Sequence, residues 1–326
     1  MKIEIPETLK ADLPQGLLGK ALSATPVVMT VVATMLAGLA SSEMTRAQYD
    51  RSLAAQQQSK AGDQWSFFQA KRLRAAIQRS TFDLLSVTTD LRPLDVAAWQ
   101  RTAAPWTSDA ATSLLKLLGS TEGQAALDLL TRGEIPAPAQ AATPDAGIKA
   151  AQEAIEAQKP DMEIAALLQQ VESGTLEAAL HAARDRVNAF DVVLNPTNRA
   201  LDQIDGLLRR QLTAVRGTPA ESAVVAIQRD FTSARLGYAT LRYDAEARLN
   251  QNVAGLLELQ VRKSNLSAER HHARSQRFFY GMLAAQLAVI ISTFAMVARQ
   301  RNLLWSIAAA AGLGAVSFAA YVYLQT

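Results

Sequence analysis

Few side chains in this sequence have the type and spacing needed for catalysis or metal binding. Glu177 and His181 lie four residues apart, which places both on one face of a helix. A pair of this kind has too few ligands for a metal ion, so we expect a surface ion pair. His271 and His272 are adjacent in the chain. They therefore point to different faces of a helix and cannot share a metal.

The sequence also lacks a complete nucleotide-binding motif and any cysteine-based site. Gly19 and Lys20 resemble part of a phosphate-binding loop, but the motif needs glycine where Pro14 stands and Ser or Thr where Ala21 stands. The sequence has no cysteine, which excludes disulfides, thiolate metal sites and cysteine nucleophiles. We therefore predict that the chain is not an enzyme and uses no cofactor or metal.

Charge and composition narrow the class of protein. The net charge of +3 is small and spread along the chain, which argues against a nucleic-acid-binding surface. The sequence is rich in Ala, Leu, Gln, Glu and Arg, with long stretches that have little Gly or Pro. This composition is typical of helices and predicts an all-α protein. Apolar residues are concentrated at the two ends and charged residues in the middle.

Three apolar segments without charged residues predict transmembrane helices at residues 21–42, 278–298 and 303–324. A spanning helix needs about 20 residues to cross roughly 30 Å of hydrocarbon. The first segment meets this length only if Pro26 lies in the first turn of its helix. Only residues 299–302 separate the last two segments, which predicts an antiparallel hairpin.

Two long helical patterns border these segments. The first covers residues 43–92 and is stopped by Pro93. The second covers residues 218–277 and begins with Thr218 as the predicted cap and Glu221 as its capping-box partner. Both patterns lead into one bilayer from the same side, so they must run antiparallel, and their apolar positions predict a coiled-coil stalk. Those positions are Met44, Tyr49, Leu53, Trp65, Phe68, Leu73, Ile77 and Leu84 in the first pattern, and Val224, Ile227, Phe231, Ala234, Tyr238, Leu241 and Ala245 in the second.

The residues between the stalk helices are predicted to form a distal head. We expect short helices in residues 93–132, a Pro- and Ala-rich linker with its following segment in residues 133–160, and a helical hairpin in residues 161–217 that breaks at Pro196. An N-terminal tail, residues 1–20, completes the chain. The predicted fold is all-α, with three transmembrane helices, a long antiparallel coiled-coil stalk and a helical distal head.

The run from Ala61 to Lys71 resembles the signature of a bacterial family of uncharacterised membrane proteins, domain of unknown function 4337. Members have a similar stretch after a first span, usually with tyrosines where Phe67 and Phe68 stand. The resemblance covers about residues 27–91 and 260–326, with a large insertion between them that begins near Pro93. It implies a bacterial multi-pass membrane protein and carries no established activity.

Seven signature residues are candidates for an interaction site. On a helix Trp65, Phe68 and Gln69 share a face. This favours a structural role, in which the aromatic side chains hold the two stalk helices together and a polar pair fixes the register of the two helices. Ligand binding is the alternative. The candidates are Asp63, Gln64, Trp65, Phe67, Phe68, Gln69 and Lys71.

Basic residues flank the C-terminal spans. A cluster of this kind attracts anionic lipid headgroups with about 1 kcal/mol per charge near the surface. The same residues act as topology determinants, and the two roles are compatible. The candidates for lipid contact are Arg270, Arg274, Arg277, Arg299 and Arg301.

These features predict a membrane-anchored scaffold or interaction protein whose partners are the lipid bilayer and a second copy or another protein. The alternative is an oligomeric transport or channel component, supported by the small residues Gly312 and Gly314 and by Gln286. More basic residues flank the central region than the opposite side, which favours a cytoplasmic location for that region at a bacterial inner membrane.

Overall fold

The computed structural model describes residues 17–136, 145–295 and 301–325, and all regular secondary structure in these ranges is α-helical. This confirms the all-α prediction. The helices are α1 (Leu17–Thr88), α2 (Val96–Ala103), α3 (Asp109–Leu118), α4 (Thr121–Arg132), α5 (Ala146–Glu156), α6 (Asp161–Gln170), α7 (Ser173–Ala214), α8 (Glu221–Ala295) and α9 (Arg301–Gln325).

The chain divides into two compact units. The membrane unit consists of Met1–Ala55 and Arg262–Thr326, and the helical unit consists of Gln56–Val261. Helices α1 and α8 each contribute residues to both units. Three helices, α1, α8 and α9, are long and apolar enough to cross a membrane, which is compatible with the predicted membrane protein.

Large apolar side chains cover the outside of the membrane unit. Exposed side chains of this kind would be costly in water but meet hydrocarbon when the helices span a bilayer. On α1 they include Val27, Val28, Val31 and Met35, and on α8 and α9 they include Leu287, Ile290, Phe294 and Leu313.

Small residues line the inside of the membrane unit. Ala33 of α1, Ala285 of α8 and Ala315 of α9 form one buried cluster. A Cβ atom added at Gly312 would lie 2.8 Å from the sulfur of Met29. Small residues at these positions let the backbones of α1, α8 and α9 approach closely, so that three helices pack together.

The prediction for Pro26 is wrong. Helix α1 begins at Leu17, and Pro26 lies inside it rather than in its first turn. Proline in a helix interior removes one backbone hydrogen bond, a loss that membrane-spanning helices tolerate when nearby groups adjust. Next to it, the hydroxyl of Thr30 donates to the carbonyl of Pro26 at 2.8 Å.

Alanine at every seventh position from Ala33 to Ala61, and again at Ala75 after the half-buried Phe68, marks the buried side of α1. The hydroxyl of Ser275 on α8 donates to the carbonyl of Ala40 at 2.7 Å, which requires the two helices of the membrane unit to approach closely. In the helical unit, Gln57 and Gln260 are hydrogen-bonded at 3.3 Å, so α1 and α8 also meet there. The buried alanines of α1 are Ala33, Ala40, Ala47, Ala54, Ala61 and Ala75.

This pattern corrects the predicted stripe on the first stalk helix. Tyr49, Leu73, Ile77 and Leu84 were expected to pack, but they are 68%, 62%, 52% and 65% exposed. A seven-residue repeat of small side chains lets helix backbones come close, and larger residues then have no room at the contact. The apolar positions predicted on α8 agree better with the observed burial. Val224, Phe231 and Tyr238 are buried, whereas Leu241 is 41% exposed.

The core of the helical unit lies where α2, α3 and α4 pack on α7 and α8. Trp99 of α2 contacts Phe231 of α8 with ring centroids 5.8 Å apart. The short helices predicted for residues 93–132 are α2, α3 and α4, and leucines of α3 and α4 pack on the apolar side of α7. The core includes Leu114, Leu118, Leu127, Leu130, Phe190, Leu194, Leu201, Ile204 and Leu208.

The predicted hairpin in residues 161–217 is wrong. Helix α7 continues from Ser173 to Ala214 with Pro196 inside it. Proline in a helix interior costs about 3 kcal/mol, but Leu194 and Leu201 on its two sides are each 2% exposed or less. Burial on both sides of Pro196 keeps the two halves in one helix.

The segment that follows the predicted linker contains helix α5 (Ala146–Glu156). Asp145 caps α5, because its carboxylate accepts hydrogen bonds from the backbone N–H groups of Gly147 and Ile148 at 2.9 and 3.2 Å. Ile148, Ala151 and Ala154 form its buried face. Residues 137–144, which belong to the predicted linker, lie outside the described residues.

The start of α8 differs from the predicted capping box. The carboxylate of Glu221 accepts from the N–H of Gly217 at 2.7 Å, and the hydroxyl of Thr218 donates back to the carbonyl of Val215 at 2.6 Å. Gly217 has a φ of 77°, a left-handed conformation that favours glycine. Glu221 therefore closes the turn before the helix rather than pairing with Thr218.

We predict that Ala47→Leu destabilises the protein and that Ala55→Leu does not. Both alanines lie on α1 in the membrane unit, but Ala47 is 1% exposed and Ala55 is exposed. Extra methylenes in a packed contact cost about 1–3 kcal/mol. Chemical unfolding in detergent, followed by circular dichroism, measures the difference. Equal stability of the two variants would contradict close packing at Ala47.

Candidate functional site

The signature aromatics form a pair on α1. The rings of Trp65 and Phe68 meet edge to face, with centroids 5.5 Å apart and planes at 83°, a favourable geometry for aromatic side chains. Both are half-buried, whereas Phe67 is 55% exposed. Asp63 and Gln69 are exposed, and Gln64 is half-buried. The structure thus brings together only part of the predicted signature site.

Lys71, the last signature residue, enters a polar network in the helical unit. Its ammonium group forms a short ion pair with Glu246 of α8. The same carboxylate lies 3.4 Å from Arg242, and Arg242 donates to the side-chain oxygen of Asn198 on α7 at 2.7 Å. The Glu246 side chain is only 9% exposed. The network therefore links α1, α7 and α8 through groups that are largely shielded from water.

The aromatic ring of Tyr243 lies close to three cationic side chains in and beside this network. The Tyr243 ring lies 4.3 Å from the guanidinium of Arg242, 5.5 Å from the ammonium of Lys71 and 5.9 Å from the guanidinium of Arg74. Cation–π attraction of this kind contributes about 0.5–1 kcal/mol at exposed sites and more when desolvated. The next residue, Asp244, pairs with two further arginines of α1, Arg72 at 3.7 Å and Arg79 at 3.2 Å.

Two groups beside the network have shifted protonation equilibria. Loss of hydration and the nearby Glu246 carboxylate raise the pKa of Asp191, although Lys71 and Arg242 oppose them. Burial raises the pKa of Tyr238, whose hydroxyl donates to Asn198 at 3.4 Å. Burial disfavours the charged form of both groups. Both shifts therefore follow from burial and from the neighbouring charges of the network.

A polar cleft of about 390 Å³ lies between α7 and α8 next to the network. Its cations are already matched by carboxylates. Arg235 pairs with Asp202 and, at 3.4 Å, with Asp205, which also lies 2.9 Å from Arg209. A ligand would have to break these pairs, so the cleft favours a structural role over ligand binding.

A second polar contact lies in the membrane unit. Nδ1 of His271 lies 2.5 Å from a carboxylate oxygen of Glu43, and Arg46 lies 3.3 Å from the other oxygen. The Glu43 and His271 side chains are 12% and 21% exposed. Sequence analysis missed this contact because the two residues are far apart in the chain. Their position beside the first and second spans was the only available signal.

Three of the five predicted lipid-contact arginines share one face of α8. Arg270 and Arg277 are exposed and Arg274 is half-buried, and none of them pairs with a carboxylate in the part of the chain that the structure describes. This leaves their charge available to headgroups. Arg301 begins α9, and Arg299 lies outside the described residues.

Residues 17–136, 145–295 and 301–325 contain no cluster of potential metal ligands. No group of three or more His, Asp or Glu side chains in these ranges is arranged to hold a metal ion. His181 and Glu177 lie 4.0 Å apart with side chains 67% and 70% exposed, which is the predicted surface pair.

We predict that Glu246→Gln lowers the free energy of unfolding by about 2 kcal/mol. The change leaves Lys71 and Arg242 without their shared carboxylate, and breaking a fully buried ion pair costs about 3–5 kcal/mol. Glu153→Gln is the matched control, since Glu153 and its partner Lys149 are both 65% exposed and such pairs contribute little. Chemical unfolding measures both variants. Equal losses would contradict a special role for the network.

The N-terminal part of the chain matches a known family. The match covers residues 19–114, including the predicted stretch from 27 to 91. It continues past Pro93, so residues 93–114 lie inside the matched region and not in the predicted insertion. The similarity predicted for residues 260–326 lies outside this match and stays a prediction. No curated protein and no solved structure matches the chain. Residues 19–114 match the model of the family described as Domain of unknown function (DUF4337).

Proposed function

We propose that the protein is a membrane-anchored scaffold that self-associates through α1. The observation that carries this proposal is a row of exposed residues on α1 in the helical unit, here called the outer seam. Its members are spaced alternately by three and four residues, the spacing that coiled-coil contacts require. They are Ala70, Leu73, Ile77, Ser80, Leu84 and Val87.

The outer seam lies opposite the side of α1 that is already packed. Ala61 and Ala75 on the packed side are each 3% exposed, whereas Leu73 and Val87 on the outer seam are 62% and 86% exposed. Full burial of an aliphatic side chain contributes about 1.5–3 kcal/mol. Several such residues in one row therefore provide a substantial driving force for association.

A second copy of the chain suits this surface. Two copies anchored in one bilayer have the same direction, so their outer seams can meet in parallel around a twofold axis. In a parallel pair the flanking contacts would join Gln69 with Arg74, Ala76 with Thr81, and Asp83 with Thr88. None of these pairs places like charges together.

Cysteine crosslinking tests the contact with a matched pair of variants. The native sequence has no cysteine, and Ser80 and Ser86 are both exposed serines of α1. Only Ser80 lies on the outer seam. Under mild oxidation in native membranes, we expect Ser80→Cys to form a disulfide-linked dimer and Ser86→Cys to remain monomeric. Crosslinking of both variants, or of neither, would contradict the proposed contact.

A transport or channel component is the second candidate function. It is supported by Gln286, which is exposed within an otherwise apolar part of α8, and by Gly314, whose added Cβ would meet no atom of the described residues within 4 Å. Uncharged helices of this kind need several copies to enclose water. A purified ring of five or more copies that conducts ions in bilayers would favour this function, and a dimer without conductance would exclude it.

We further propose that the protein lies in a bacterial inner membrane with the helical unit in the cytoplasm. More basic residues flank the helical unit than the opposite side, as the positive-inside rule requires. Reporter fusions at Thr326 and within residues 133–147 test the orientation. We expect cytoplasmic reporter activity at both positions, and periplasmic activity at both would reverse the proposed orientation.

A further inference from the structure

We propose that a groove between α1 and α8 in the membrane unit binds one glycerophospholipid molecule. The groove has a volume of about 570 Å³, within the range of about 300–1,000 Å³ that is typical of small-molecule sites. Most of its surface is apolar, and Phe279 and Tyr280 at its edge are 47% and 61% exposed. Aromatic side chains of this kind are common at the level of lipid headgroups.

The groove changes from apolar to polar along its length. On α1 its lining runs from Ala37, inside the predicted span, to Met44, just beyond it. On α8 it runs from Met282, inside the span, to Gln276 and His272, outside it. A phospholipid has the same order, with an acyl chain toward the hydrocarbon and phosphate and ester oxygens toward water. The groove and the lipid are therefore complementary in polarity.

His272 provides unused hydrogen-bonding capacity at the polar end. Its Nδ1 is buried without a hydrogen-bond partner among the described residues, and its Nε2 lies 3.1 Å from the side-chain nitrogen of Gln276. An imidazole in the neutral form has one donor and one acceptor nitrogen, so rotation of the ring can direct an N–H to a ligand. Phosphate and ester oxygens are acceptors. By contrast, the adjacent His271 is engaged by Glu43 at 2.5 Å.

The groove is separate from the basic face of α8. Arg270, Arg274 and Arg277 lie about half a turn away from His272 and Gln276 around the helix, and they do not line the groove. These arginines attract anionic headgroups in general. A site formed by His272 and Gln276 recognises the phosphate and ester groups that anionic and zwitterionic lipids share.

Native mass spectrometry of the full-length protein in a mild detergent tests this site. The probes are phosphatidylcholine, phosphatidylglycerol and inorganic phosphate, each added to delipidated protein. We expect one molecule of either lipid to bind more tightly than further copies. His272→Ala, and Ala37→Phe at the apolar end, should each weaken that first site about tenfold or more. Circular dichroism confirms that each variant is folded.

Arg274→Ala is the matched control on the opposite face of α8. It should leave phosphatidylcholine binding at the first site unchanged and weaken only the additional binding of phosphatidylglycerol. The proposal is overturned if folded His272→Ala and Ala37→Phe bind lipid as wild type does, or if neither lipid shows a first tight site. Equal competition by inorganic phosphate would also overturn it, because the acyl chain would then contribute nothing.

Discussion

Close contact between α1 and α8 is the constraint on which the two units depend. In the membrane unit, the bond from the Ser275 hydroxyl to the Ala40 carbonyl forms only when a side chain of one helix reaches the backbone of the other. In this unit, buried alanine at every seventh position of α1 from Ala33 to Ala54 permits this approach. In the helical unit, the same repeat continues at Ala61 and Ala75, beside the contacts from Gln57 to Gln260 and from Lys71 to Glu246.

Small residues at the contact force the large apolar residues of α1 to the opposite side. In the membrane unit those side chains, such as Val31 and Met35, are exposed on helices that are long and apolar enough to cross a membrane. In the helical unit they form the outer seam, a row of exposed side chains. One packing rule therefore accounts for an exposed apolar surface in one unit and for the proposed self-association surface in the other.

The helical class, the three apolar helices and most of the α8 seam could be predicted from composition and spacing. On α7, Leu176, Leu180, Leu201 and Ile204 are large apolar residues at helical spacing, and all four are buried. The α1 contact was missed because alanine carries little hydrophobic signal, so larger residues such as Leu73 and Ile77 dominated the pattern. Pro26 was expected in the first turn of its helix and Pro196 at a helix break, but both lie inside helices. Packing on both sides of a proline can hold a helix together.

The candidate site was predicted only in part for a different reason. Signature residues Trp65, Phe68 and Lys71 could be found on α1, but the partners of Lys71 lie on other helices and are distant in sequence. Glu246, Arg242 and Asn198 became neighbours only through the antiparallel arrangement of α1 and α8 and the packing of α7. The contact between Glu43 and His271 likewise depends on tertiary structure. Sequence spacing contains no information about either set.

The central claim is that two copies associate through the outer seam, which has no partner within its own chain among the described residues. The mass of the full-length protein in lipid nanodiscs tests this claim most directly. Light scattering should give two chains per particle for the wild type. It should give one chain for Ile77→Asp, which places a charge on the outer seam, and two for Met162→Asp, which changes an apolar residue that is 87% exposed elsewhere. One chain per particle for the wild type, or two for Ile77→Asp, would contradict self-association through this surface.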